Sequence, residues 1–217
     1  MIIVLSILIL LFAFLRAVIA KKAQAASVDE YFWLQYRSGA RQQKNIPPIL
    51  PQYLLDLRQW YPPLYGKFLQ MLPDKVFERR TALNHILSFL RLGNYFLFAY
   101  FMDISLSAPL VLTIILINLA SPSLYTYDNQ LNSRILGSIL FDLACMLIYV
   151  GYSVEWTIPV LICLFVLYLL LLFLHKMTLQ ILISLTLAWA FYLQSFTALG
   201  LLVFSFFASQ SSVVEKW

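Results

Sequence analysis

The sequence predicts an all-α membrane protein that crosses the bilayer about seven times. Hydrophobic residues make up 62% of the 217 residues and charged residues only 12%, and the mean hydropathy is +0.82. A soluble domain carries about 25% charged residues. Folded in water, the chain would leave too much apolar surface exposed. We therefore interpret residues 1–217 as a single multi-pass membrane domain.

The first predicted element is an apolar helix over residues 2–20, interrupted only by Ser6 and Arg16. A helix of about 20 apolar residues is long enough to cross a bilayer. The alternative is a secretory signal peptide, because the small residues at 23–26 resemble a cleavage region. No positively charged residue precedes the run, and the run exceeds a usual signal core, so a retained helix is favoured.

A polar segment over residues 21–81 follows, with ten Lys or Arg residues against five Asp or Glu residues. It accounts for the whole formal net charge of +5. Apolar spacing predicts short amphipathic helices at 28–38, 52–60 and 64–72, separated by Gly39 and by proline clusters. Such helices lie in the membrane interface with their aromatic side toward lipid.

The basic surplus of this segment has two interpretations. It is either a surface that faces anionic lipid headgroups or a group of cations that hold a phosphate or pyrophosphate. Interleaved aromatic residues are also typical of nucleic-acid binding. Beside a membrane we expect no nucleic acid as a partner.

Six more apolar helices complete the predicted fold, before a tail at 210–217: 82–102, 106–120, 133–151, 158–174, 178–193 and 196–209. Cys145 and Cys163 lie in these helices without metal or disulfide spacing, and we interpret both as small core residues. With seven spans, the basic segment shares one face with the loop at 121–132 and the turn at 175–177. The positive-inside rule places this face in the cytoplasm, although the rule weakens for loops of about 60 residues.

Charged residues within the predicted spans are few, and such residues usually mark function or pairing. Arg91 needs an acidic or carbonyl partner, and Asp142 is one candidate. His85 is better explained as an interfacial residue near the start of its helix. The sequence contains no phosphate-binding glycine loop, nucleophile elbow or zinc-ligand spacing.

The most conspicuous polar feature is the adjacent pair Asp29 and Glu30, directly after the first helix. Asp128, in the polar loop on the same predicted face, is a candidate to join the pair around a divalent cation, because hard cations favour carboxylate oxygen. Spacing alone favours a simple turn at Asp128 instead. His175 and Lys176 also lie at this face, either as interfacial anchors or as contacts to an anionic headgroup.

The order of five stretches resembles a known family of membrane enzymes. These are residues 29–34 (DEYFWL), 47–48 (PP), 61–65 (YPPLY), 127–134 (YDNQLNSR) and 175–180 (HKMTLQ). They resemble the loops of polytopic glycosyltransferases of the C superfamily, such as dolichyl-phosphate-mannose-protein mannosyltransferases. Members of that family are usually much longer, with more helices, so the resemblance covers their N-terminal module.

The resemblance implies an activity and a location. Such a module transfers a sugar from a polyprenyl-phosphate donor to an acceptor on the extracytoplasmic face of the plasma (inner) membrane. This orientation is opposite to the one that the charge bias favours.

The resemblance also implies roles for individual residues. Asp29, with Glu30 beside it, matches the acid that acts as general base or orients the acceptor. Asp128 matches a second acid that binds the acceptor or a divalent cation, Mg²⁺ or Mn²⁺. The residues expected at the donor phosphate are Arg37, Arg134, His175 and Lys176.

A non-catalytic membrane subunit or scaffold of a larger complex is the alternative. Aromatic residues make up 16% of the chain, which suits packing against lipid and against a partner subunit. A small transporter is disfavoured, because no pair of broken helices is evident. Expected partners are membrane lipid, a polyprenyl-phosphate sugar and a partner subunit.

Overall fold

The computed structural model describes residues 7–8, 10–15, 18, 28–44, 48, 63–102, 107–120 and 133–210. The regular structure of these residues is entirely α-helical, which confirms the all-α class. The described residues between 7 and 18 are helical. The further helices are α1 (Val28–Gln43), α2 (Pro63–Met71), α3 (Asp74–Glu78), α4 (Arg80–Phe101), α5 (Ala108–Ala120), α6 (Arg134–Ser153), α7 (Ile158–Leu174), α8 (Lys176–Tyr192) and α9 (Thr197–Ser209).

The six apolar helices α4 to α9 begin and end within two residues of their predicted bounds. Long apolar runs bounded by proline and polar residues are the strongest local signal for such elements. Within the described part of the chain, α6 is the one helix long and apolar enough to cross a membrane by length and composition. The count of seven spans stays a prediction.

The polar segment differs from its prediction at Gly39. The first amphipathic helix was expected to end there, but α1 continues to Gln43 and ends at Lys44, whose φ of 52° is left-handed. A glycine inside a helix costs only about 0.5–1 kcal/mol relative to alanine. Burial of one large apolar side chain contributes about 1.5–3 kcal/mol. The buried face of α1 therefore outweighs the glycine.

The aromatic face of α1 is covered by protein, contrary to the expectation that it lies against lipid. Phe32 and Trp33 are 6% and 3% exposed, and Tyr36 is fully buried. The prediction of a helix at 64–72 is confirmed by α2, and the one at 52–60 lies outside the described residues. The short helix α3 was not predicted. It follows Pro73 and carries Asp74 in its first turn.

The chain divides into two compact units, of which the first comprises Met1–Leu34 and Leu72–Ile135. Its buried core includes Phe12, Leu92, Val111 and Ile115. The rings of Phe12 and Phe89 meet edge to face, with centroids 5.6 Å apart. This unit therefore buries residues of α4 and α5 together with Phe12 from the N-terminal helical stretch.

The second unit comprises Gln35–Met71 and Leu136–Trp217. Helix α7 is central in it and packs against α2, α8 and α9. Leu164, Tyr168 and Leu171 repeat at helical spacing along α7 and are fully buried. Cys145 packs partly buried against this core, whereas Cys163 is exposed and so is not the core residue that was expected.

Candidate functional site

Asp29 and Glu30 lie in the first turn of α1. Carboxylates are favourable at this end of a helix, because the unsatisfied backbone N–H groups give it a partial positive charge. Glu30 is half-buried, and the side chain of Asp29 lies outside the described residues. The acidic pair therefore opens a regular helix of 16 residues instead of standing on a loop.

Two arginines of α1 bind the C-terminal end of α2. The Nε of Arg37 donates a hydrogen bond to the carbonyl oxygen of Leu69 at 2.9 Å, and the Arg37 side chain is only 8% exposed. One turn further on, Nη2 of Arg41 lies 3.5 Å from the carbonyl oxygen of Gln70. The last carbonyls of a helix lack intrahelical partners and carry partial negative charge. Both cations therefore cap α2.

Tyr36 and Gly66 form a second contact between α1 and α2. A Cβ atom added at Gly66 would overlap the Tyr36 ring and lie 3.0 Å from the phenolic oxygen. Because Tyr36 is fully buried, its ring has no space to move aside. Burial also raises the pKa of the Tyr36 phenol to about 12. The phenol is therefore neutral at physiological pH and does not act as a base.

Three side chains hold one end of α1 in place. Arg37, Arg41 and Tyr36 all hold its C-terminal half against α2. Catalytic groups on well-packed helices keep their geometry better than groups on loops. The acidic pair lies on the same helix, in its first turn.

Arg37 was predicted to bind a donor phosphate, and the structure gives its Nε a backbone partner instead. This contact makes Arg37 part of the α1–α2 interface, and a role at phosphate stays a prediction. Sequence reasoning missed Arg41 and Gly66. The signals were an arginine pair at i, i+4 on one helix face and a glycine inside an amphipathic helix.

His175 lies at the corner between α7 and α8, in extended backbone with φ −153°. Its Nδ1 accepts a hydrogen bond from the backbone N–H of Thr178 at 3.2 Å and lies 2.6 Å from the Thr178 hydroxyl oxygen. It therefore acts as the N-cap of α8. A lone pair on Nδ1 is needed for this role, so the neutral ring carries its proton on Nε2.

Gly137 of α6 provides the space for this corner. A Cβ atom at Gly137 would lie 3.0 Å from the His175 Cβ and 3.2 Å from the Thr178 hydroxyl oxygen. Both distances are tighter than ordinary contact. The predicted headgroup residue His175 thus has a structural role that depends on a glycine in a neighbouring helix.

The remaining predicted residues are placed only in part. Arg134 is the first residue of α6 and is half-buried. Lys176 is the first residue of α8, but its side chain lies outside the described residues. Asp128 lies outside them altogether. That Asp29, Asp128 and Lys176 meet in one site stays a prediction.

No metal centre is evident in the part of the chain that the structure describes. There, no group of three or more His, Cys, Asp or Glu side chains is arranged to hold a metal ion. The predicted ligand Asp128 and the side chain of Asp29 are not among these residues. The divalent cation stays a prediction.

Comparison of the chain with protein-family models, curated proteins and solved structures gives no match. The similarity to glycosyltransferases of the C superfamily therefore rests on the five short stretches described above. Family membership and the roles that it implies stay predictions.

Proposed function

We propose that the chain is a glycosyltransferase-like membrane module with about seven spans in the plasma (inner) membrane. It transfers a sugar from a polyprenyl-phosphate donor to an acceptor on the extracytoplasmic face. The observation that best supports the proposal is the position of Asp29 and Glu30 in the first turn of α1. This helix is fixed to α2 through the buried Arg37. The pair has the chemistry of a general base and stands on a regular helix of 16 residues.

In the proposed reaction an acceptor oxygen attacks the anomeric carbon of the sugar, and the bond between that carbon and the phosphate oxygen breaks. Asp29 accepts the acceptor proton, and the electron pair of the broken bond leaves with the polyprenyl phosphate. Lys176 and Arg134 stabilise the charge that develops on that phosphate. Glu30 orients the acceptor. A divalent cation held by Asp128 would supply further charge neutralisation, and no step above requires it.

The test is Asp29→Asn in the full chain, reconstituted with a radiolabelled polyprenyl-phosphate sugar and its acceptor. Loss of a general base lowers the rate by about 10²–10⁴-fold, so we expect at least a 100-fold loss of sugar transfer. Asp74→Asn is the matched control, because Asp74 is an exposed acid in the first turn of another helix of the polar segment. Equal activity of the two variants would refute the catalytic role of Asp29.

A non-catalytic membrane subunit is the second candidate, and the outer face of α9 favours it. Phe204, Phe206 and Phe207 are 61%, 51% and 67% exposed. Aromatic residues are enriched at the cores of protein interfaces. If the chain copurifies with another membrane protein in a fixed ratio, and Asp29→Asn leaves the sugar transfer of that complex unchanged, the subunit function replaces the catalytic one.

A further inference from the structure

An apolar groove lies between α2 and α7 and has a volume of about 340 Å³. Helix α7 lines it with Val166, Leu170 and Phe173, and α2 contributes Leu64 and Lys67. The α7 residues repeat at helical spacing and form one stripe. A volume of this size lies at the lower end of the range of about 300–1,000 Å³ that is usual for ligand sites.

The chemistry of the lining suits an amphiphile. Lys67 is the one charged residue among those that line the groove, and the others are apolar. Lysine commonly lays its hydrocarbon stem on an apolar surface and extends its ammonium group toward polar surroundings. Partial burial among these side chains lowers the pKa of Lys67, so an anion placed beside the ammonium group would stabilise its charged form.

The surroundings favour an anionic ligand from the bilayer. The polar segment that contains Lys67 carries ten basic and five acidic residues, and such a surface attracts anionic headgroups by about 1 kcal/mol for each cation near the membrane. The groove is also open to the exterior, since Val166 on its rim is 45% exposed. A lipid can therefore enter it sideways without unfolding either helix.

We infer that this groove holds one hydrocarbon chain of an anionic bilayer phospholipid, with Lys67 at the phosphate of its headgroup. The chain occupies the apolar stripe of α7, and the single cation matches the single negative charge of a phosphodiester. This inference goes beyond the proposed function, because a resident phospholipid is neither donor nor acceptor of a sugar. Binding stands even if Asp29→Asn shows that the chain transfers no sugar.

The experiment is native mass spectrometry of the full chain with phosphatidylglycerol or phosphatidylcholine of the same acyl composition. Leu170→Trp fills the groove, and we expect it to weaken phosphatidylglycerol binding at least tenfold. Ile181→Trp is the matched control, because Ile181 lies on α8 with its side chain 59% exposed. If Leu170→Trp does not fold, Val166→Phe at the rim serves in its place. Equal binding by the filled-groove variant and the control overturns the inference.

The headgroup is tested separately with Lys67→Gln. We expect this variant to lose the preference for phosphatidylglycerol over phosphatidylcholine, whereas Lys75→Gln, at an exposed lysine of α3, retains it. An unchanged preference in Lys67→Gln overturns the role of Lys67. Displacement of phosphatidylglycerol by an equimolar polyprenyl phosphate would overturn the choice of a bilayer phospholipid, because the groove would then belong to the sugar donor.

Discussion

The helix pair α1–α2 and the bundle of α6 to α9 are held together by different kinds of contact. The pair relies on arginines that bind backbone carbonyls and on a tyrosine ring placed against a glycine. The bundle buries leucine, alanine and isoleucine side chains around α7, with tyrosine hydroxyls bonded to carbonyls of the last loop and helix. The packing of α1 on α2 is therefore specified by a few directional contacts. The bundle is specified by many small apolar contacts.

This difference explains which features were predictable from the sequence. The bundle helices can be predicted from apolar runs and the residues that break them. Each buried side chain contributes a similar amount to stability, so the local pattern is sufficient to locate these helices. The pair depends on single long-range contacts, and the sequence places Arg37 and Leu69 32 residues apart. A local pattern can mark Arg37 as a residue of interest, but it does not identify Leu69 as its partner. Each of the following substitutions tests the comparison, in order of decreasing expected effect.

Arg37→Ala should destabilise the pair most. A hydrogen bond from a charged group contributes about 1.5–3 kcal/mol, and the Arg37 bond is buried. We expect a loss of this size in the free energy of unfolding, measured from denaturation of the purified chain in detergent. Arg41→Ala is the matched control: its contact is 3.5 Å long and exposed, so its loss should be about 0.5 kcal/mol or less. Equal losses would mean that burial of Arg37 contributes nothing.

Gly66→Ala should destabilise the α1–α2 contact, whereas the matching glycine substitution in the bundle should not be destabilising. Overpacking against the buried Tyr36 ring costs about 1–3 kcal/mol, and alanine regains about 0.5–1 kcal/mol of helix stability. The net is a loss of up to about 2.5 kcal/mol. Gly200→Ala in α9 should be neutral or stabilising, because nothing lies within 4 Å of its added Cβ. A stabilising Gly66→Ala would contradict the close approach of α1 and α2.

Tyr36 should make the stability of the pair depend on pH above 10. The unfolded phenol has a pKa of about 10, and burial raises the pKa of the folded one to about 12. The contribution of the neutral Tyr36 phenol to the free energy of unfolding is fully present below pH 10. It falls between pH 10 and 12, by about 1.4 kcal/mol for each pH unit. Melting temperatures from pH 9 to 11 should fall less for Tyr36→Phe than for the unmodified chain.

The control for this pH dependence is Tyr31→Phe, since Tyr31 lies on the same helix with its side chain 58% exposed. This variant should keep the full slope of the unmodified chain. If Tyr36→Phe and Tyr31→Phe have the same slope, Tyr36 is not the group that titrates.

His175→Ala should have the smallest effect of the four. It removes the acceptor for the Thr178 backbone N–H, and loss of an N-cap side chain costs about 0.5–2 kcal/mol, typically 1. His175→Asn offers a carbonyl oxygen at the same position, and asparagine is a favoured N-cap residue. We therefore expect the asparagine variant to melt above the alanine variant. Identical melting temperatures would show that capping does not determine the stability of this corner.

The candidate site was predictable only in outline. Residue types and their position after the first helix identified Asp29 and Glu30, and α1 places both in one helical turn. The local pattern predicts that α1 ends at Gly39. The helix continues to Gln43 because of burial against distant parts of the chain, which the local sequence does not show. The cap formed by His175 was also missed, because α8 was expected to begin at 178 and begins instead at Lys176.

The bond between Arg37 and α2 has a consequence for sequence change in this protein. Its acceptor is the main-chain carbonyl of Leu69, which every amino acid at position 69 would also supply. Substitution of Leu69 can therefore alter packing without removing the acceptor, and no compensating change at Arg37 is required. Position 69 can therefore change in sequence while Arg37 is kept. A covariation signal between them is not expected, however strongly the contact stabilises the fold.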